Sequence, residues 1–261
     1  MKKLKAIIAL WLLLMVIPLA GAFLLKKDRE LEKNVLLNLM VQSDLDAEME
    51  SLKAQAILIR TNLTVDPEKS VVNKKKLNHF FTKDPTGIYT KKFLEAVNQT
   101  KGMIVRINKS VMELPYHKIS CGTTRSAKEI EGDSGACLAS VSCEEDVLEQ
   151  GYFHLFYFTK EQIGGRVTVT SRYDSGYVKQ ARIEGKKTIT LGGEAFRKRY
   201  GLPSSCFFVE NGKKEVRITT KGIGHGFGLS QSMADSLAKE GKDAKEILKY
   251  FFRNVEFYQN E

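Results

Sequence analysis

The sequence predicts an α+β domain, with helices first, a mostly antiparallel sheet in the centre and helices again at the end, behind a single-pass N-terminal anchor. Three observations predict it. Apolar residues recur at three- and four-residue spacing from Leu31 to about Asn62, the period of a helix with one buried face. From Gly102 the period changes to two, that of a half-buried strand. After a glycine-dense stretch, Gly222–Gln231, helical spacing returns.

The N-terminus sets the address. Met1-Lys-Lys-Leu-Lys precedes twenty uncharged, mostly apolar residues, Ala6 to Leu25, which Lys26, Lys27 and Arg29 close. A helix of that length spans a bilayer core of roughly 30 Å. Ala20-Gly21-Ala22 also has the small-x-small pattern of a signal-peptide cleavage site, so cleavage after Ala22 is the competing reading. Both divide the chain into an anchor or signal peptide, residues 1–29, and an extracytoplasmic domain, residues 30–261. The expected location is the cell membrane, or outside the cell if the segment is cut.

Leu31, Val35, Leu36, Leu39 and Met40 form the first helical stripe. The polar run Asp44–Glu48 interrupts it, and Ser51–Arg60 resumes it with good helix formers. Thr64–Gly87 reads as a surface loop with a helical piece around Leu77–Phe81, and Thr90–Thr100 as another helix. Strands are predicted from Met103, Tyr152, Arg166, Tyr177 and Lys187. Phe207–Val209 and Val216–Thr219 flank an Asn211-Gly212 turn, a hairpin signal. Gly192–Tyr200 reads as a short helix, and Gln231–Leu237 and Ala244–Phe252 as two more, split by Gly241.

The net charge of +10 suits anionic partners, but the Lys and Arg residues are scattered. No nucleic-acid-binding module is present, and no nucleic-acid partner is expected. The four cysteines are Cys121, Cys137, Cys143 and Cys206. Cys137 and Cys143 are close enough in sequence to close a small loop; Cys121 and Cys206 either pair or stay reduced. No CxxC or HxxxH spacing occurs and the four histidines are far apart, so neither a metal nor another cofactor is expected. His154, inside an aromatic strand, reads as structural, and Arg60 and Arg197 as ion-paired surface residues.

The stretch Gly224-His225-Gly226-Phe227-Gly228-Leu229-Ser230-Gln231, then Met233-Ala234, then Glu246-Ile247-Leu248-Lys249-Tyr250-Phe251, resembles the C-terminal signature of the stage II sporulation protein D family. Three further blocks match in order. They are Leu52-Lys53-Ala54-Gln55-Ala56 with Arg60-Thr61, His117 with Ser120, Gly122 and Thr124, and Ser171–Gly176 followed by Phe196-Arg197 and Gly201–Ser205. The resemblance covers roughly residues 31–258. It implies an extracytoplasmic domain acting on peptidoglycan glycan strands as a lytic transglycosylase, in engulfment during endospore formation, with protein partners in the envelope. It also implies a catalytic glutamate. The position that matches is Gln42, and a carboxamide has no proton to give near neutral pH. Asp44, two residues on, is the nearest substitute acid. His117, Ser120, Gly122, Thr124, Gly224, His225, Gly226, Gly228, Ser230 and Gln231 are the residues that the resemblance assigns to holding substrate. Some family members carry a Cys/His zinc site after the first helix; here Thr61–Lys101 has His79 and no cysteine. Two functions therefore compete: a glycan-binding protein that has lost the chemistry, and a divergent enzyme that uses another acid.

Overall fold

The computed structural model describes residues 26–131 and 138–259. The apolar run Ala6–Leu25 and Cys137 lie outside the described residues. Among those described, no helix is long and apolar enough to cross a membrane.

Helix α1 covers residues 26–42 and α2 covers Met49–Val65, with the break where the polar run interrupts the stripe. The Thr64–Gly87 segment is more ordered than expected. It holds a 3-10 turn, Pro67–Ser70, and a full helix α3, Lys74–Lys83. Asn73 starts α3 by accepting hydrogen bonds from the Lys75 and Lys76 N–H groups, which supplies the partners that a helix start lacks. Helix α4 spans Ile88–Gln99.

The centre is not one sheet. Among the described residues, four small sheets form instead. Strand β1 (Met103–Ile107) pairs with β10 (Val255–Gln259), and β2 (Tyr116–His117) pairs in parallel with β9 (Leu229–Ser230). Strand β8 (Glu215–Lys221) lies between β3 (Phe153–Thr159) and β7 (Phe207–Asn211). Strand β5 (Val178–Glu184) lies between β4 (Arg166–Arg172) and β6 (Thr188–Gly192). Short turns pair β4 with β5, β5 with β6 and β7 with β8, which divides the middle of the chain into two three-stranded sheets. These sheets share one core with helix α5 (Gly193–Arg199), built from Val167, Val178, Ala181, Ile183, Phe196, Phe207, Val216 and Ile218. The C-terminal helices α6 (Gln231–Lys239) and α7 (Ala244–Phe251) follow, and a capping box between Asp243 and Glu246 opens α7.

Helix α2 joins the two remaining cores. Its Leu52, Ala56 and Ile59 pack against α1, α3 and α4; its Ala54, Ile57 and Leu58 pack against β1, α6 and α7. A helix apolar on both sides must be enclosed on both sides. Arg60 corrects the surface expectation. It has no exposed side-chain area, and its guanidinium grips Glu32 of α1 through Nε and Nη2 at 2.8 and 2.7 Å. Its remaining donors reach the Met103 and Val97 carbonyls at 3.1 and 3.3 Å. Arg197 is indeed ion-paired, with Glu194 at 2.9 Å. Cys121, Cys143 and Cys206 are free thiols; the Cys137–Cys143 loop falls on a residue outside those described.

Because the pair is buried, removing Glu32 alone strands a cation in the interior. Glu32→Ala is expected to lower unfolding free energy by about 3 kcal/mol or more in urea titrations. Replacing both partners, as Glu32→Leu with Arg60→Met, is expected to cost much less.

Candidate functional site

Gln42 is the last residue of α1. Its carbonyl accepts from Gln231 Nε2 at 2.9 Å, so the end of the glycine loop caps the helix that carries Gln42. Its side-chain amide is satisfied at both ends. Nε2 donates to Asn38 Oδ1, one turn back, at 2.8 Å, and Oε1 accepts from the Tyr116 hydroxyl. Asn38 Nδ2 passes the chain on to the Asn34 carbonyl at 2.9 Å.

Gln42, Asn38, Tyr116 and His225 line one open cavity of about 460 Å³. Lys69 and Glu113 at its rim are paired with each other. Apart from that ion pair, the groups facing this space are neutral. Burial pushes the Tyr116 phenol up to about 12, so it stays protonated. Burial also lowers His225, with Arg197 and Arg125 adding to the effect and Glu194 opposing it. His225 Nδ1 accepts from the Phe227 N–H at 3.1 Å, which leaves the neutral ring's proton on Nε2.

His117 sits behind this wall, its ring centroid 5.8 Å from that of His225. It is buried and does not line the cavity. Its Nδ1 lies 3.0 Å from the Phe227 carbonyl, to which the Nδ1–H donates, while Nε2 has no partner. Burial, with His225 beside it, drives His117 down to about 3.

The glycine loop lies flat on strand β2. A Cβ on Gly224 (φ +120°) would stand 2.6 Å from His117 Cβ, and one on Gly228 (φ +69°) would stand 1.9 Å from the Pro115 carbonyl oxygen. Both positions also need a backbone that L side chains rarely adopt. These glycines, with Gly226 against the Tyr177 ring, let the loop pack closely against its neighbours.

Of the residues assigned to the site from the sequence, the structure brings Gln42 and His225 to one cavity and puts His117 directly behind. It does not bring the others there. Ser120 and Ser230 are buried and share Asp146, whose carboxylate accepts from Ser120 N–H and Ser230 Oγ, each at 2.7 Å. Gly122 N–H donates to Ser120 Oγ at 3.1 Å, and Thr124 Oγ1 accepts from Val141 N–H at 3.0 Å. These contacts fasten the loop after β2. Asp44 is paired with Lys118 at 2.9 Å and lines a different cavity, with Asp46, Gln55 and Asp235. Sequence reasoning missed Asn38, Tyr116 and Asp146. The spacing of four between Asn38 and Gln42 was a readable signal; the other two depend on contacts distant in sequence.

The His117 shift carries a sign that can be checked. Its folded value lies below the ordinary one near 6.5, so the unfolded chain binds the extra proton between them. That contribution to stability is fully present above about pH 6.5 and is lost as pH falls toward about 3. Urea midpoints measured at about pH 7 and about pH 4.5 are expected to drop less in His117→Asn, which keeps a donor for Phe227, than in the wild type.

Comparison with known proteins fits this arrangement. Residues 27–106, from α1 through β1, match the family model of SpoIID, stage II sporulation protein. Stage II sporulation protein D of Bacillus subtilis (strain 168) is 29% identical over 236 residues, 79% of this chain and 68% of that one. The same protein of Bacillus amyloliquefaciens is 32% identical over 177 residues, 64% of this chain and 51% of that one. The helices that carry Gln42, Glu32 and Arg60 thus fall inside the segment that matches the SpoIID family model, and most of the chain is similar to stage II sporulation protein D of Bacillus.

Proposed function

We propose that this protein holds peptidoglycan glycan strands in the Gln42 cavity without cutting them, as a sporulation protein of the cell envelope. In this reading residues 1–29 are the anchor or signal peptide, and residues 30–261 lie outside the cytoplasm. The observation that carries the proposal is the Gln42 amide, hydrogen-bonded on both sides within a chain of neutral groups. Glycosidic cleavage needs a carboxylic acid with a raised pKa beside the leaving oxygen. Among the described residues lining the cavity, Glu113 is the one carboxylate, and Lys69 pairs with it at the rim. Amide, phenol and neutral imidazole are groups that exchange hydrogen bonds with sugar hydroxyls. The alternative acid, Asp44, is exposed, paired with Lys118 and turned to another cavity, which favours binding over a divergent catalytic route.

The test uses the full-length chain in detergent with glycan strands stripped of stem peptides. Co-sedimentation without anhydro-sugar ends in the mass spectrum is expected, and Gln42→Ala should weaken binding about tenfold, the loss of one or two hydrogen bonds. Anhydro product from the wild type that disappears in Asp44→Asn would overturn the binding-only reading. Gln42→Glu is expected to gain cleavage. In its protonated form the introduced carboxyl group would keep a donor for Asn38 Oδ1, whereas in its ionised form it would not, so the network favours the acid.

A further inference from the structure

Two cysteines far apart in sequence meet beside the site. Cys121 follows Ser120 in the loop after β2, and Cys206 immediately precedes β7. Their sulfurs converge on one tight turn, closed by a hydrogen bond from Gly176 N–H to the Tyr173 carbonyl at 2.9 Å. Cys121 Sγ lies 3.3 Å from the Ser175 carbonyl oxygen, and Cys206 Sγ lies 3.6 Å from the next one, Gly176. The two thiols are close enough for each to shift the other's ionisation, Cys121 downward and Cys206 upward. The Cys121 backbone is held at both polar atoms. Its N–H donates to the Tyr177 hydroxyl at 3.2 Å, and its carbonyl accepts from the Tyr152 hydroxyl at 2.9 Å. On the other side, Cys206 N–H donates to Ser204 Oγ at 3.0 Å and its carbonyl accepts from Lys221 N–H at 2.8 Å. Ser204 in turn bridges to Gly224 of the glycine loop.

We infer that Cys121 and Cys206 are a disulfide-forming pair whose bond clasps the loop after β2 to the segment that supports the glycine loop. The reaction is thiol–disulfide exchange with a disulfide-bearing oxidant. Cys121 is the more exposed of the two. As thiolate it attacks one sulfur of the oxidant, and the oxidant's other sulfur leaves as a thiolate. Cys206 gives its proton to solvent and attacks the Cys121 sulfur, which releases the second oxidant thiolate. One S–S bond forms in the protein and one breaks in the oxidant. Two electrons pass from the protein to the oxidant, which ends as two thiols. The neighbouring Cys206 thiol lowers the Cys121 thiol, and Lys221 adds to the effect, so the attacking sulfur is the one that ionises more readily. The bond would close the long loop from Cys121 to Cys206, more than a third of the domain, where the loss of unfolded-state freedom is large. The inference stands on the two thiols alone and does not depend on the glycan reading.

The experiment equilibrates the full-length chain with oxidised and reduced glutathione in varying ratio, quenches with acid, alkylates free thiols and maps peptides by mass. A cross-linked peptide joining Cys121 to Cys206 is expected, with the thermal midpoint raised by roughly 5–15 °C. In Cys206→Ser, Cys121 is expected to stop at the glutathione adduct, with no rise in midpoint. Cys121→Ser, a change at a partly exposed position, should fold and show neither. Wild-type protein in which both thiols stay reduced, Cys121 stops at the adduct, or cross-links run only to Cys137 or Cys143 would overturn the pairing. A cross-link that leaves the midpoint unmoved would overturn the clasp.

Discussion

The ion pair between Arg60 and Glu32 is the contact on which the arrangement of the helices depends. A fully buried guanidinium is tolerated only when its donors are met. Glu32 supplies two acceptors from α1, and the Val97 and Met103 carbonyls supply two more from the end of α4 and the start of β1. The requirement therefore fixes three elements around α2 at once. Because Glu32 and Gln42 are on the same helix, it also sets where Gln42 points.

From α2 outward, the two halves of the site are built by different means. The Gln42 side is a helix end, closed by Gln231 and held by amide hydrogen bonds. The His225 side is a loop without a side-chain core of its own. It keeps its shape by lying against β2, with glycines where its backbone meets His117 and Pro115. Asp146 ties the two segments together beneath, through Ser120 and Ser230. The result is a polar cavity whose wall, inside the Lys69–Glu113 pair at the rim, presents an amide, a phenol and the His225 imidazole, with His117 kept uncharged by burial behind it. Such a wall exchanges hydrogen bonds and offers no ready proton at Gln42.

Much of the helical framework could be read directly. The 3.6-residue period located α1, α2, α4, α6 and α7, and Asn211-Gly212 located the β7–β8 hairpin. The sheets were harder, because a strand's partner is not encoded in its own period. Val255–Gln259 pairs with β1 from the other end of the domain, and β2 and β9 are two residues each, too short for alternation to register. Most of the residues of the block from His117 to Thr124 proved to be fasteners of a loop. A serine that holds a backbone turn and a serine that holds a ligand look alike in a sequence.

By itself the sequence determined the local order of helices and strands, the amide at position 42, the four cysteines and the glycines of the loop, because each follows from residue type and near-neighbour spacing. Only the tertiary structure decided what these residues face. Burial and long-range contacts turned Arg60 inward, put Gln42 and His225 on one cavity and His117 behind it, sent Asp44 to another, and brought Cys121 to Cys206. Those outcomes depend on which surfaces are removed from water together, and that is settled when the segments pack.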